Sequence, residues 1–371
     1  MNTLTQASHQ WANRPSDERY TSLPEMLATM QAIKQRSAAR VLPNRSLQAV
    51  TIEGDRDGIA IEGPNGVPVV PTHYAFGQLA QRAGAPAGYL RELPAPLAAD
   101  CINYGIRHAS EVQDLGVLLH KPDGMPAMLR AVTGPNYGRI WNSTIVAALV
   151  DRFGDGVTGH FRVPGEFGKR VQVTKENTTL YASDRDMFVF LADEDRRIEM
   201  PNRRDGRAGS LARGFFLWNS EVGASTFGIG MFLFDFVCSN RIIWGAEGYS
   251  EIKIRHTSGA PHRYIEEVAP QLEAYASSAT AGVTQAIAKA QAASIIKAGK
   301  DDAVDAFLRA RQFTGKEVAA IKAAHMTDEG RPIETIWDAV TGVTAYARAV
   351  PYQDERVRLE RKGGELLKVA A

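Results

Sequence analysis

The stretch FFLWNSEVGASTFGIGMFLFDFVCSNRIIWGAE, from Phe215 to Glu247, constrains the fold more than any other part of the chain. It holds two apolar runs with polar residues gathered at their ends. Asn219, Ser220 and Glu221 follow the first run, and Asp235, Cys238, Asn240 and Arg241 stand near the end of the second. A bilayer span needs about 20 consecutive apolar residues. The uncharged part here, Val222 to Phe234, is shorter, and Glu221, Asp235 and Arg241 flank it. The stretch therefore reads as buried strands of a soluble fold, with no membrane partner. The ends of adjacent strands then bring Asn219, Ser220, Glu221, Asn240 and Arg241 near one another. Buried polar groups of this kind must be hydrogen-bonded, so they either fix a corner of the fold or form a site. Glu221 with Arg241 reads most simply as a structural ion pair. Asp235 needs either an exposed face or a partner, for which Arg255 or His256 is a candidate.

With 371 residues, 44% of them hydrophobic and 23% charged, the chain is able to bury a sizeable core. A formal net charge of +1 means that any anion-binding surface must be a local patch. Two cysteines, Cys101 and Cys238, make no disulfide framework and suit a reducing cytoplasm. The start, MNTLTQASHQWANRPSDERY, has no charged segment followed by an apolar core, so no signal peptide is expected.

The pattern predicts an α+β fold with a β-rich central sheet, a mixed N-terminal part and a helical C-terminal part. Residues 1–113 read as mixed: a helix from a Ser22 cap with Pro24 in its first turn, two strands joined at GDRDG, and helices over THYAFGQLAQRAGAPAGYLREL and APLAADCINYGIRHA. Residues 114–260 read as a β-rich core of short apolar runs, among them VQVTK, with one inserted helix, Asn142 to Gly154, capped by Asn142 or Ser143. Residues 261–371 read as helical, with Thr314 and Glu317 at capping-box spacing. The three regions also fit one integrated domain. Strand-rich and helix-rich runs are segregated rather than alternating, which argues against a doubly wound sheet.

Nucleotide-loop, nucleophile-elbow and zinc signatures are absent. Gly228 and Gly230 read as room for close packing in a strand rather than as a phosphate loop. The histidines are scattered without ligand spacing, so no metal and no cofactor is expected.

Two stretches point to nucleic acid. Arg196, Arg197, Arg203, Arg204, Arg207 and Arg213 crowd a Pro- and Gly-containing loop between two apolar strands, against only Glu199 and Asp205. Guanidinium forks on such a loop suit phosphates, and the alternative is a solvated loop that keeps the strands soluble. In LRAVTGPNYGRIWN, a strand would place Tyr137, Arg139 and Trp141 on one face, a stacking platform for unstacked bases. Lys169, Arg170 and Lys175 of KRVQVTKEN extend the same basic sheet. The alternative is that Tyr137 and Trp141 are half-buried beneath Arg139.

The opening stretch, together with IKIRHTSG, TIWDAVTGVTAYAR, DERVRLERKGGELLKVAA and GPNYGRIWN, resembles a family of uncharacterised phage- and plasmid-borne proteins. The residues carrying the family pattern are Asn219, Ser220, Glu221, Gly223, Cys238 and Asn240, with Arg241 beside them. The resemblance implies a mobile-element setting and leaves the biochemical activity unassigned. Together these readings lead to a non-enzymatic, cytoplasmic, homo-oligomeric protein that binds or anneals single-stranded DNA in replication or recombination. Two alternatives stand beside it. One is a metal-dependent enzyme acting on nucleotides or nucleic acid, centred on Glu221, Asp235 and His256 with Asn240 and Arg241. The other is a self-assembling interaction protein countering host defence, built on the Ala-rich helix from Val283 to Ile296.

Overall fold

A computed structural model describes residues 14–52, 58–63, 66–108, 113–164, 172–193, 195–196, 198–200, 209–235, 241–242, 252–277, 281–296, 302–350 and 353–370. Helix α1 (Leu23–Gln35) starts where the Ser22 side chain accepts the Glu25 N–H, with a proline in its first turn. Strands β1 (Ser37–Pro43), β2 (Ala49–Thr51), β3 (Ile59–Glu62) and β4 (Pro68–Pro71) follow. Next come helices α2 (His73–Arg82), α3 (Ala87–Glu92) and α4 (Ala95–Arg107), then β5 (Asp114–His120) and β6 (Met128–Thr133). These six strands form one sheet in the order β1-β5-β6-β4-β3-β2, parallel only between β4 and β6. The sheet runs across the expected border between residues 113 and 114, because β5 and β6 complete it. Ala75, Leu79, Ala98, Ile102 and Ile106 from α2 and α4 share a core cluster with Val117, Leu129 and Val132 of the sheet.

Helix α5 (Asn142–Phe153) lies between the two sheets in sequence. A second, eight-stranded sheet contains β7 (Phe161–Arg162), β8 (Leu180–Ala182), β9 (Met187–Asp193), β10 (Ile198–Met200), β11 (Gly209–Asn219), β12 (Phe227–Asp235), β13 (Arg241–Ile242) and β14 (Ile252–Ile254). Its spine is β13-β12-β11-β9-β7. VQVTK supplies no strand among its described residues: Thr174 N–H turns onto Asn177 Oδ1, and Asn177 Nδ2 donates to Gln172 O. A side chain able to satisfy the local backbone displaces the ladder there. On one face of the sheet Phe215, Leu217 and Ile229 pack against Leu23, Met26 and Met30 of α1 and Ile145, Val146 and Leu149 of α5. Each such side chain contributes about 1.5–3 kcal/mol by leaving water.

The other face explains the glycines of FGIGMFL. Phe216 pairs with Gly230 and Trp218 with Gly228 across β11 and β12. The two rings stack with centroids 5.0 Å apart. A Cβ at Gly228 would stand 1.9 Å from Trp218 Cζ2, and one at Gly230 2.2 Å from Phe216 Cε1. The glycines are the space the rings occupy.

The remainder is helical. Helix α6 (Ala260–Arg263) leads through a π-helical turn (Tyr264–Val268) into α7 (Ala269–Ser277). It is followed by α8 (Ala281–Ala292), α9 (Ala303–Arg309), α10 (Gly315–Glu329), α11 (Ile336–Ala349) and α12 (Gln353–Ala370). Capping boxes begin α10, at Thr314 and Glu317, and α11, at Thr335 and Asp338. From the Ala-rich helix α8, Ile287 and Ala290 are buried in this chain's own cluster, with Ile321, Val340 and Leu359. His325 of α10 is fully buried, with Nδ1 facing Thr341 Oγ1 at 3.2 Å.

Two outcomes are expected. Gly228→Ala drives its Cβ into the Trp218 ring and lowers stability by about 1–3 kcal/mol, read as a lower urea midpoint with unchanged slope. Burial depresses the His325 pKa, outweighing the nearby Asp338. The unfolded chain therefore binds the proton more readily. Stability is complete above the free-histidine value of about 6.5 and is lost as pH falls below it. Urea midpoints compared at neutral and mildly acidic pH should differ less in His325→Gln than in the wild type.

Candidate functional site

Asn219, Ser220, Glu221 and Gly223 stand together where β11 ends. They form a corner that ties the two sheets to each other. Glu221 is 3% exposed, and its Oε2 pairs with Arg130 Nη1 at 2.9 Å. Arg130, 5% exposed, comes from β6 of the six-stranded sheet. Glu221 Oε1 accepts the Asn142 N–H at 2.8 Å, so a carboxylate occupies the positive end of α5. Trp141 holds the N-cap position without a side-chain bond, so the expected caps Asn142 and Ser143 lie inside the helix. The described ion-pair partner of Glu221 is Arg130, and the side chain of Arg241, expected as its partner, lies outside the described residues. A guanidinium on the facing strand reaches the carboxylate, and the helix N–H takes its other oxygen.

The neighbours of Glu221 are also hydrogen-bonded, although the buried Asn219 Oδ1 has no partner among the described residues. Asn219 Nδ2 donates to Ile140 O at 2.8 Å and to Asn142 Oδ1 at 2.7 Å. Ser220 Oγ donates to Arg185 O at 2.7 Å and accepts the N–H groups of Val222 and Ala224. Gln78 of α2 donates to Val222 O and accepts the Val132 N–H, bridging the corner to β6. Gly223 sits at φ +91°, a left-handed conformation that favours glycine. Glu221, Asn219 and Ser220 are each at 3% exposure or less, so these three are closed to solvent, while Gly223 is exposed.

Beside it runs the loop from Gly134 to Trp141. This loop is not a strand, so alternation does not align Tyr137, Arg139 and Trp141. They are brought together instead by their bonds to the corner. Tyr137 Oη donates to Ser220 O at 2.8 Å, and Arg139 Nε donates to Glu221 O at 2.7 Å. The Arg139 guanidinium carbon lies 5.4 Å from the Tyr137 ring centre and 5.6 Å from that of Trp141. The exposed Lys34 of α1 places its ammonium 5.6 Å from the other aromatic neighbour of this row, the Trp141 ring. Tyr137, Arg139 and Trp141 are each half-buried. Burial raises the Tyr137 pKa and lowers that of Arg139. His256 stacks on Tyr137 at 4.8 Å and donates from Nδ1 to Gly138 O. Burial lowers its pKa as well. A groove of about 130 Å³ opens between this loop and β1, bordered by Arg40, Gly116, Thr133 and Arg139. Among the described residues, no carboxylate pairs with Lys34, Arg40 or Arg139.

The Arg-rich stretch divides. Arg213 is not in a loop. It lies inside β11, 3% exposed at its side chain, and pairs with the fully buried Asp193 at 3.1 Å. Asp193 also accepts the Arg196 N–H, while Arg196 itself is exposed. Burial in the ion pair removes Arg213 from any exposed phosphate-binding set. Arg197, Arg203, Arg204, Arg207, Lys169, Arg170, Cys238 and Asn240 lie outside the described residues. So do the side chains of Asp235 and Arg241, whose backbones belong to β12 and β13. Among the described residues no group of three histidine, cysteine or acidic side chains is placed to hold a metal. Sequence reasoning missed Arg130, Gln78, Lys34 and Arg40. Arg130 left a signal, a lone charge inside the apolar run AMLRAVTG, which demanded a buried partner.

The fold and this corner define an α+β protein of two sheets locked through one buried ion pair. Residues 167–362, over half of the 371-residue chain, match the family described as a domain of unknown function (DUF932), and the chain belongs to it. No curated protein matches the chain, and no solved structure does.

Removing the Glu221 charge leaves Arg130 buried and unpaired. Glu221→Gln should therefore lower stability by about 3–5 kcal/mol, seen in urea unfolding. A catalytic carboxylate would instead leave the fold unchanged on this substitution.

Proposed function

We propose that this chain is a non-enzymatic nucleic-acid-binding protein with a preference for single strands, serving replication or recombination on a phage or plasmid. The observation that carries this reading is the row Lys34, Trp141, Arg139 and Tyr137 beside Arg40, in which cations alternate with aromatic rings and have no carboxylate partner among the described residues. A half-buried guanidinium with no carboxylate in ion-pair contact among the described residues carries a desolvation cost that a phosphate relieves. Aromatic rings next to such a groove supply stacking surface for bases, a sequence-tolerant form of contact. The near-neutral chain has no global basic field, so binding rests on this local strip together with the arginines at 196, 197, 203, 204 and 207. An enzyme centred on Glu221 is less well supported. Both of its carboxylate oxygens are engaged in holding the fold, and the group is closed to solvent.

Fluorescence anisotropy of labelled single- and double-stranded oligonucleotides over a salt series tests the reading. The expected result is tighter binding of the single strand, with affinity falling steeply as salt rises. Lys34→Ala/Arg40→Ala should reduce the slope of log K against log salt by roughly 1.4, for two lost phosphate contacts at about 0.7 each. Arg203→Ala/Arg204→Ala/Arg207→Ala should reduce it further. Absence of binding at low salt by the folded protein overturns the proposal.

A further inference from the structure

A second surface, on α4, is independent of the strip. Tyr104 is 66% exposed, and its ring lies on that of His108 with centroids 4.0 Å apart and planes 22° from parallel. His108 Nδ1 donates to Tyr104 O at 2.9 Å, which holds the imidazole in place. Asp100, Tyr104 and His108 recur every four residues, so they share one helix face. The face that packs on the sheet is a different one, formed by Ala98, Ala99, Ile102 and Ile106.

An open cavity of about 690 Å³ lies between this outer face and the end of α2, bordered by Arg82, Ala83, Asp100, Cys101, Tyr104 and His108. Its volume falls within the range of small-molecule sites, about 300–1,000 Å³. Among the described residues neither Arg82 nor Asp100 has an ion-pair or side-chain hydrogen-bond partner. The cavity thus offers one aromatic stack, one carboxylate and one guanidinium, the last two uncommitted.

These groups select a ligand by chemistry. A planar ring stacks on Tyr104, and an ionised carboxylate only accepts hydrogen bonds, so the ring edge it meets must donate. Guanine presents two adjacent donors, the ring N–H and the exocyclic amino group, which match the two oxygens of one carboxylate. Adenine and cytosine place an acceptor beside the amino group, and uracil flanks its single N–H with carbonyls. The guanidinium suits a phosphate. We propose that this cavity binds a guanine nucleotide, with the base on Tyr104, its donor edge on Asp100 and its phosphate at Arg82.

Calorimetric titration of the full chain with GMP, AMP, UMP and guanosine tests this. Wild type should bind GMP in preference to AMP and UMP. Tyr104→Ala should weaken GMP by about 5- to 150-fold, and Tyr104→Phe should leave it within about twofold, since base stacking on an aromatic ring is worth about 1–3 kcal/mol. Asp100→Asn should abolish the preference for GMP over AMP, and Arg82→Ala the preference for GMP over guanosine. These side chains line an open surface cavity, and circular dichroism would check that each variant folds. No heat with millimolar GMP, or equal GMP binding by wild type and Tyr104→Ala, overturns the proposal. A short oligothymidylate carrying one guanine distinguishes the source. Competition stronger than that of GMP assigns the site to a base within a strand, and weaker competition assigns it to a free nucleotide. Because the anisotropy series reads the basic strip and GMP calorimetry reads this cavity, either reading can fail alone.

Discussion

The carboxylate of Glu221 is the interaction on which the two sheets depend. It is buried, and each oxygen is committed: one to a guanidinium from the six-stranded sheet, the other to the first turn of the helix that covers the eight-stranded sheet. A buried ion pair of this kind contributes little net stability compared with apolar residues of the same volume, but breaking it on one side is costly. Its effect is on arrangement. The placement of β6, β11 and α5 satisfies Arg130, Glu221 and the Asn142 N–H together. The flanking bonds of Asn219, Ser220 and Gln78 extend that requirement to the neighbouring loops and to α2.

The same corner organises the surface beside it. Tyr137 and Arg139 are held by main-chain carbonyls of Ser220 and Glu221, so the geometry of the basic strip is inherited from a rigid, dry interior. A loop alone would not hold a guanidinium between two aromatic rings without losing side-chain entropy on each binding event. Here that ordering is already present in the folded chain. The corner thus positions the side chains of the strip.

Much of the fold was legible in the sequence because periodicity and caps are local. The Ser22 cap, the Thr314 capping box, the Asn142–Phe153 helix and the apolar runs of β9, β11 and β12 all follow from residues a few positions apart. So did the packing role of Gly228 and Gly230, although the rings they accommodate were not visible. The candidate site was less legible. Arg213 shares a run with the exposed arginines, yet strand pairing carries it into the core, where Asp193 neutralises it. Tyr137, Arg139 and Trp141 have the spacing of a strand face but lie in a loop, because tertiary hydrogen bonds replace the ladder. Lys34 and Arg40 are remote in sequence from that loop, and no local pattern connects them to it.

By itself, the sequence determined the class of the fold and the need of its central apolar stretch for buried polar partners, because burial and periodicity are written in the order of residues. It also determined that any anion-binding surface would be local, since the net charge is close to zero. The tertiary structure alone decided which partner each charge takes. Arg130 is 91 positions from Glu221, and Asp193 is 20 from Arg213. Ion pairs act through space over a few ångströms, and only chain folding brings such distant residues within that reach.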